Sequence, residues 1–114
     1  MKASLMKARR GIYAAAVSPF KADGSLDFDK SVAYSKHLLS DGGCDGVAPT
    51  GTTGEGTSVA IVDRLELPAA FEKAGIETDR VIFGTGAPAS GDCLALTKAA
   101  CDAGYTNVLV LPPY

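Results

Sequence analysis

Two adjacent hydroxyls stand between glycines in Gly51-Thr52-Thr53-Gly54, and Glu55 follows them. The stretch comes after a short apolar run, Gly46-Val47-Ala48-Pro49, and before an amphipathic segment. That order reads as strand, glycine-rich turn, helix, so the turn lies at the C-terminal end of a strand. Gly51 and Gly54 let the backbone turn tightly and approach a ligand closely. N–H groups exposed in such a turn bind anions. The threonine hydroxyls donate, accept or relay a proton. A small carboxylate suits this set of donors. The plain alternative is a strand-to-helix turn with no ligand. Glu55 has the type of a general base, but its commoner role is to anchor a turn by accepting backbone N–H bonds.

Other groups carry weaker signals. Gly84-Thr85-Gly86-Ala87-Pro88-Ala89 fits G-x-G-x-x-A after a strand candidate, the pattern of a nucleotide-binding module. That pattern wants an acidic residue at the end of the next strand to hold a ribose. Here the next strand ends Leu111-Pro112-Pro113, and Pro88 removes a donor from the turn. His37 is a lone histidine beside Lys36, with no metal cluster around it. Cys44, Cys93 and Cys101 are odd in number and lack C-x-x-C spacing, which fits reduced thiols and a cytoplasmic location. Cys93 and Cys101 fall on one face of a helix and are expected to be small buried residues. Tyr13, Tyr34 and Tyr105 read as packing residues, and Ser18 as a strand-end hydrogen bonder.

Size and charge narrow the class. A chain of 114 residues makes one domain with a modest core. Net charge is -2, with no basic stripe beyond Lys7, Arg9 and Arg10, which argues against a nucleic-acid partner. The apolar run Ile12–Val17 is shorter than the roughly 7–15 residues of a signal peptide core. No stretch approaches the ~20 apolar residues of a membrane span. Residues 1–10 are expected to form a flexible basic N-terminal extension.

The elements that must position the threonines alternate regularly. Ile12–Val17 is a strand closed by Ser18-Pro19. Asp27 can cap a helix from about Phe28 to Ser40, with Phe28, Val32 and Leu39 on one face and Leu38 beside them. Asp45–Pro49 is the second strand. A helix from about Ile61 to Ala74 is expected to face inward through Val62, Leu65 and Ala69, with Gly75 as its stop signal. Pro68 inside it predicts a kink or an early end. Val81-Ile82-Phe83 is the third strand. Ser90 starts a third helix that stops at Gly104, and Asn107–Leu111 is the fourth strand. Short apolar strands without alternation suit a parallel sheet covered by helices. Units of about 30 residues fit either a doubly wound sheet or a (β/α)8 barrel.

On these residues the chain resembles the N-terminal part of the dihydrodipicolinate synthase / N-acetylneuraminate lyase family of class I aldolases. The likeness runs from Gly11 to Tyr114. It rests on Val17-Ser18-Pro19-Phe20, Asp23-Gly24, Gly46-Val47, Gly51-Thr52-Thr53-Gly54-Glu55-Gly56, Gly84-Thr85-Gly86 and Pro112-Pro113-Tyr114. It implies an α/β fold, a partial (β/α)8 TIM barrel with its first four strands and three helices over residues 11–114. It implies a lyase that condenses or cleaves pyruvate, or a related 2-oxo acid, with an aldehyde through a lysine Schiff base. Neither cofactor nor metal is implied. The partners implied are the two small substrates and further copies of the protein in a homo-oligomer, with no nucleic acid and no membrane. By resemblance, Gly51, Thr52, Thr53 and Gly54 bind the substrate carboxylate. Thr52 also matches the hydroxyl that links two tyrosines in a proton relay. Ala15 matches a small residue beside the ligand, and Tyr114 begins the aromatic run that supplies one relay tyrosine.

Three departures qualify the resemblance. The family's Schiff-base lysine, on a sixth strand, and its other relay tyrosine lie beyond Tyr114. None of Lys2, Lys7, Lys21, Lys30, Lys36, Lys73 or Lys98 sits in a strand, whereas an aldolase lysine must be partly desolvated to act as an amine. A chain that ends after a fourth strand is therefore expected to be inactive alone, as a half-barrel or assembly module with open sheet edges. Ala60 stands where the family usually has a serine or threonine cap, and Asp63 where it usually has glutamate.

Overall fold

The structure, a computed structural model, describes residues 8–112. Its elements in chain order are β1 (Tyr13–Ala14), α1 (Phe28–Leu39), β2 (Gly46–Val47), α2 (Ile61–Lys73), β3 (Phe83–Gly84), α3 (Ser90–Asp102) and β4 (Val108–Leu109). Single 3-10 turns occupy Gly56–Ser58 and Thr78–Arg80. β1 lies parallel to β2, with Tyr13 opposite Gly46, and β3 lies parallel to β4, with Phe83 opposite Val108. A parallel bridge from Val47 to Val81 links the two pairs. The N–H groups of Ile82 and Gly84 donate to Val47 O (3.0 Å) and Pro49 O (2.9 Å). The strands thus follow one another in chain order, which the alternation of elements alone left open. They are shorter than the apolar runs. β2 stops where Pro49 has no N–H to give and Thr50 turns to a φ of 56°.

α1 starts where the sequence places it. The Asp27 carboxylate accepts the Lys30 N–H at 3.0 Å, a cap of a kind that contributes about 1 kcal/mol. Phe28, Val32, Leu38 and Leu39 pack against the core but are only partly buried. The deepest positions on α1 are Ser31 and Ser35. Ser31 Oγ donates to Asp27 O at 2.8 Å, so its polar group is satisfied within the helix. Small side chains there bring the helix close to its neighbours, a pattern that a search for apolar residues passes over.

α2 corrects the expected orientation. Val62 is 63% exposed and Ala69 is exposed, whereas Arg64, Leu67, Pro68 and Phe71 are buried. The true inward row runs i, i+3, i+4, i+7, but an arginine heads it, and that disguises it. The early end expected at Pro68 does not occur, because the helix continues to Lys73. Pro68 is itself buried, and that burial offsets the bond its ring cannot make. On α3, Leu96 and Ala100 are buried, while Cys93 and Cys101 are half-buried rather than buried as expected.

The core joins Val47, Val81 and Phe83 of the sheet to Leu67 and Phe71 of α2 and to Tyr105. The rings of Phe71 and Tyr105 each lie 5.1 Å from that of Phe83, tilted or edge-on, a favourable arrangement for aromatic pairs. The Tyr105 hydroxyl donates to Ile76 O at 2.6 Å. Burial pushes the phenol well above its ordinary pKa, so it is a packing residue, as read.

Arginines close the N-terminal end of the sheet. Arg80 donates to Asp45 O (2.8 Å), Leu39 O (2.9 Å) and Cys44 O (3.1 Å). Arg9, which the sequence assigns to the basic extension, pairs with Glu77 (2.9 Å) and Asp79 (3.2 Å). The Asp45 carboxylate takes the Ile12 N–H at 2.8 Å.

Candidate functional site

The site grows from Thr50, at the C-terminal end of β2. A φ of 56° is uncommon for a β-branched residue. Thr50 is buried, and its hydroxyl lies 2.7 Å from Pro49 O and 3.0 Å from Gly84 O. Glycines surround it closely. A Cβ on Gly84 would stand 2.3 Å from Thr50 O and 2.9 Å from Gly51 N, and one on Gly56 would stand 2.3 Å from Thr50 O. These two glycines are therefore required by packing, and they fix where the next four residues ride.

The turn above Thr50 is tied down through its far side. The Glu55 N–H donates to Thr52 O at 3.0 Å, and the Gly56 N–H to Gly51 O at 3.1 Å. Ser18 Oγ donates to Gly54 O at 2.5 Å, the strand-end role expected of it. By contrast, the N–H groups of Gly51, Thr52 and Thr53 have no acceptor among the described residues. Gly51 is half-buried and Thr52 and Thr53 are exposed, so water can reach these donors. Consecutive open N–H groups at the rim of a cleft are also an arrangement able to bind an anion.

That cleft has a volume of about 50 Å³. Thr50, Gly51, Thr52 and Thr57 line it from the end of β2, Gly84, Gly86 and Ala87 from the end of β3, and Leu109, Leu111 and Pro112 from the end of β4. A site needs roughly 10–15 Å³ of such space to hold one water, so the cleft has room for a group of a few atoms. Of the residues singled out from the sequence, Gly51 and Thr52 line the cleft. Thr53 is exposed beside it, and Gly54 is buried under the turn, where a Cβ would meet Ala16 O at 2.7 Å. Ala15 is exposed just past β1 and does not line the cleft. Tyr114 lies outside the described residues. Glu55 anchors the turn, but through its backbone. It holds a left-handed φ of 52° and is exposed, and its carboxylate has no hydrogen-bond partner among the described residues.

Two supporting residues were missed. Arg64 is only 5% exposed, and its Nη2 donates to Gly84 O and to Gly86 O, both at 2.9 Å. Its Nε is buried without an acceptor among the described residues. Burial holds its pKa below the ordinary value, while the nearby Cys93 and Asp92 act in the opposite direction. In sequence it looks like any surface charge on a helix. Asp63 was noted only as a departure, yet its carboxylate accepts the Leu26 N–H at 3.0 Å and ties the start of α2 to the segment before α1. No cluster of three or more His, Cys, Asp or Glu suited to a metal occurs among the described residues. No described helix is long and apolar enough to cross a membrane.

Comparison with known proteins shows the family. The model of the dihydrodipicolinate synthetase family matches residues 8–114. An uncharacterized DapA-like lyase from Chloroflexus aurantiacus is 40% identical over 106 residues, which are 92% of this chain and 35% of that protein. The crystal structure of dihydrodipicolinate synthase from Agrobacterium tumefaciens superimposes with a TM-score of 0.81 at 39% identity, covering 90% of this chain and 36% of that one. A prophage protein of the dihydrodipicolinic acid synthase family from E. coli K12, solved in complex with pyruvate, superimposes with a TM-score of 0.80 at 27% identity. It covers 91% of this chain and 35% of its own. The chain thus spans about a third of the length of these relatives.

Proposed function

The chain belongs to the dihydrodipicolinate synthetase family, and from that premise we propose that the protein carrying it is a lyase acting on pyruvate or a related 2-oxo acid. The family is one of class I aldolases. The observation that carries the reading is the set of open N–H groups of Gly51, Thr52 and Thr53 beside a cleft with room for a group of a few atoms. A 2-oxo acid places its carboxylate on these donors, which fixes where its ketone carbon lies. A lysine amine then adds to that carbon, water leaves, and the imine that forms loses a C3 proton to give the enamine that adds to an aldehyde; the reverse sequence releases one. Thr52, exposed at the cleft rim, has the hydroxyl to pass the protons these steps require.

None of the described lysines lines the cleft. The family resemblance puts the amine on a sixth strand, and a relay tyrosine at or beside Tyr114. The same resemblance brings a closed eight-stranded barrel, a homo-oligomer and a cytoplasmic location into the proposal. Ile12, Val17 and Val110, each more than half exposed, are the apolar surface that such a closure would cover. Borohydride reduction of the intact protein in the presence of pyruvate tests the chemistry. A mass gain equal to one reduced pyruvate adduct per chain is expected. No adduct with any small 2-oxo acid would overturn the assignment.

A further inference from the structure

We propose that Arg64 is a positioning residue for the carboxylate cleft, and that through it the Ala87 N–H becomes a further donor to the bound acid. This rests on the carboxylate reading of the cleft. Arg64 does not line the cleft; it lies behind it, on α2, almost wholly buried. Its Nη2 carries two N–H bonds, and both are used, one on Gly84 O and one on Gly86 O. One rigid planar group therefore sets the direction of two carbonyls in a three-residue turn.

The consequence follows from peptide geometry. The described residues contain no cis peptide bond. In a trans peptide the carbonyl and the N–H point in opposite directions. The Gly84–Thr85 peptide shows this at work: Gly84 O faces Arg64, and the Thr85 N–H reaches across to Leu109 O at 2.9 Å. In the Gly86–Ala87 peptide, Gly86 O again faces Arg64, so the Ala87 N–H points away from it. Gly86 and Ala87 both line the cleft, and the Ala87 N–H has no acceptor among the described residues. Ala87, Gly51 and Thr52 line the same cleft, so an Ala87 N–H directed away from Arg64 is available to the ligand that their open N–H groups would hold. A carboxylate taking donors from both strand ends would be held by both of its oxygens.

Arg64 also keeps the ends of β2 and β3 in register. Gly84 O is shared by Arg64 (2.9 Å) and by the buried Thr50 hydroxyl (3.0 Å), directly under Gly51. A positive, buried side chain behind the wall adds a favourable field for an anion in front of it. Cutting the guanidinium away frees the turn without touching Thr52.

The test uses the intact protein with Arg64→Gln and Arg64→Lys. For Arg64→Gln we expect the KM for pyruvate to rise about tenfold with kcat within a factor of two, the scale of one lost hydrogen bond to a charged group. Arg64→Lys, which keeps the charge and loses the planar fork, should recover only part of that loss. Independently, in wild-type protein labelled with 15N-alanine, the Ala87 amide (identified by its loss in Ala87→Gly) should shift on addition of pyruvate. Should Arg64→Gln fail to fold, the wild-type amide shift and Arg64→Lys still decide. A pyruvate adduct forming without any Ala87 shift, or Arg64→Gln with wild-type KM, would overturn the inference. A wild-type protein that forms no adduct at all would instead overturn the lyase reading on which it rests.

Discussion

The two ends of the parallel sheet are built on opposite plans. At the N-terminal end, Arg80 alone donates to three backbone carbonyls, and Arg9, Glu77 and Asp79 join into a network of ion pairs. Charged side chains there meet backbone groups until both are satisfied. At the C-terminal end the backbone is strained, with Thr50 and Glu55 both at positive φ. The N–H groups of Gly51, Thr52, Thr53 and Ala87 have no partner among the described residues, and Arg64, the one buried charged side chain among those residues, holds the end of β3 from behind. Strain and open polar groups collect at the end where the proposed ligand would bind. The closed end holds the fold together so that the open end can stay open.

If that division holds, a change at the open end should alter chemistry and not stability. Thr52→Val keeps the shape of an exposed side chain and removes its hydroxyl. In the intact enzyme kcat should fall by roughly 10²-fold, the scale of a positioned proton-transfer group. The denaturation midpoint should stay within experimental error of wild type, since nothing packs on the lost oxygen. Steady-state kinetics beside urea unfolding would check both halves. A near-normal kcat would remove Thr52 from the relay, and a clear loss of stability would break the contrast itself.

The converse change sits at the closed end. Arg80→Ala takes donors from Asp45 O, Leu39 O and Cys44 O together. Water can reach some of these carbonyls, so the expected loss is roughly 2 kcal/mol rather than the full sum of three orphaned groups at about 1–3 kcal/mol each. Pyruvate trapping in the fraction that remains folded should proceed as in wild type. Urea unfolding of the intact protein gives the first quantity and adduct mass the second. An Arg80→Ala protein of wild-type stability that fails to trap pyruvate would reverse the roles assigned to the two ends.

The sequence makes the open end more legible than the closed one, and for a physical reason. A glycine-flanked turn after a strand depends on backbone freedom, which residue type reveals directly. So the placement of Gly51 and Thr52 in a cleft at a strand end, and the alternation of strands and helices, could be read in advance. So could the Asp27 cap, which is a local hydrogen bond three residues long. What escaped was decided by tertiary contacts. Arg64 looks like a solvated charge until β3 is seen to bring Gly84 and Gly86 to within 2.9 Å of it. The inward row of α2 escaped with it: Val62, Leu65 and Ala69 were expected inside, where Arg64, Leu67, Pro68 and Phe71 stand. Ser31 and Ser35 were missed for the same reason, since helix proximity and not hydrophobicity puts them there. At Glu55 the expected anchoring by the carboxylate is not found among the described residues; the turn is closed by the Glu55 N–H on Thr52 O instead.

The smallest expected effect sharpens the comparison at the start of α2. Ala60 is the N-cap residue of the helix that carries Arg64, and it offers no side-chain bond to the helix end. α3 starts in the same way from Ala89, whereas Asp27 caps α1. In a capping box the residue three positions on would reach back to the cap, but Asp63 spends its carboxylate on Leu26 N instead. Ala60→Ser supplies an oxygen to the first-turn N–H groups without disturbing that bond. It should raise stability by about 0.5–1 kcal/mol, the lower part of the range for restored caps. The gain is held down because the Asp63 and Arg64 N–H groups already share Ala60 O, at 3.0 Å each. Pyruvate trapping should not change, because the cap lies outside the cleft lining. Thermal or urea unfolding of the intact protein resolves a shift of this size. A stability gain accompanied by a rise in KM would show that slack at the start of α2 serves the cleft. In that case the uncapped helix belongs to the open plan and is not merely a site left unoptimised.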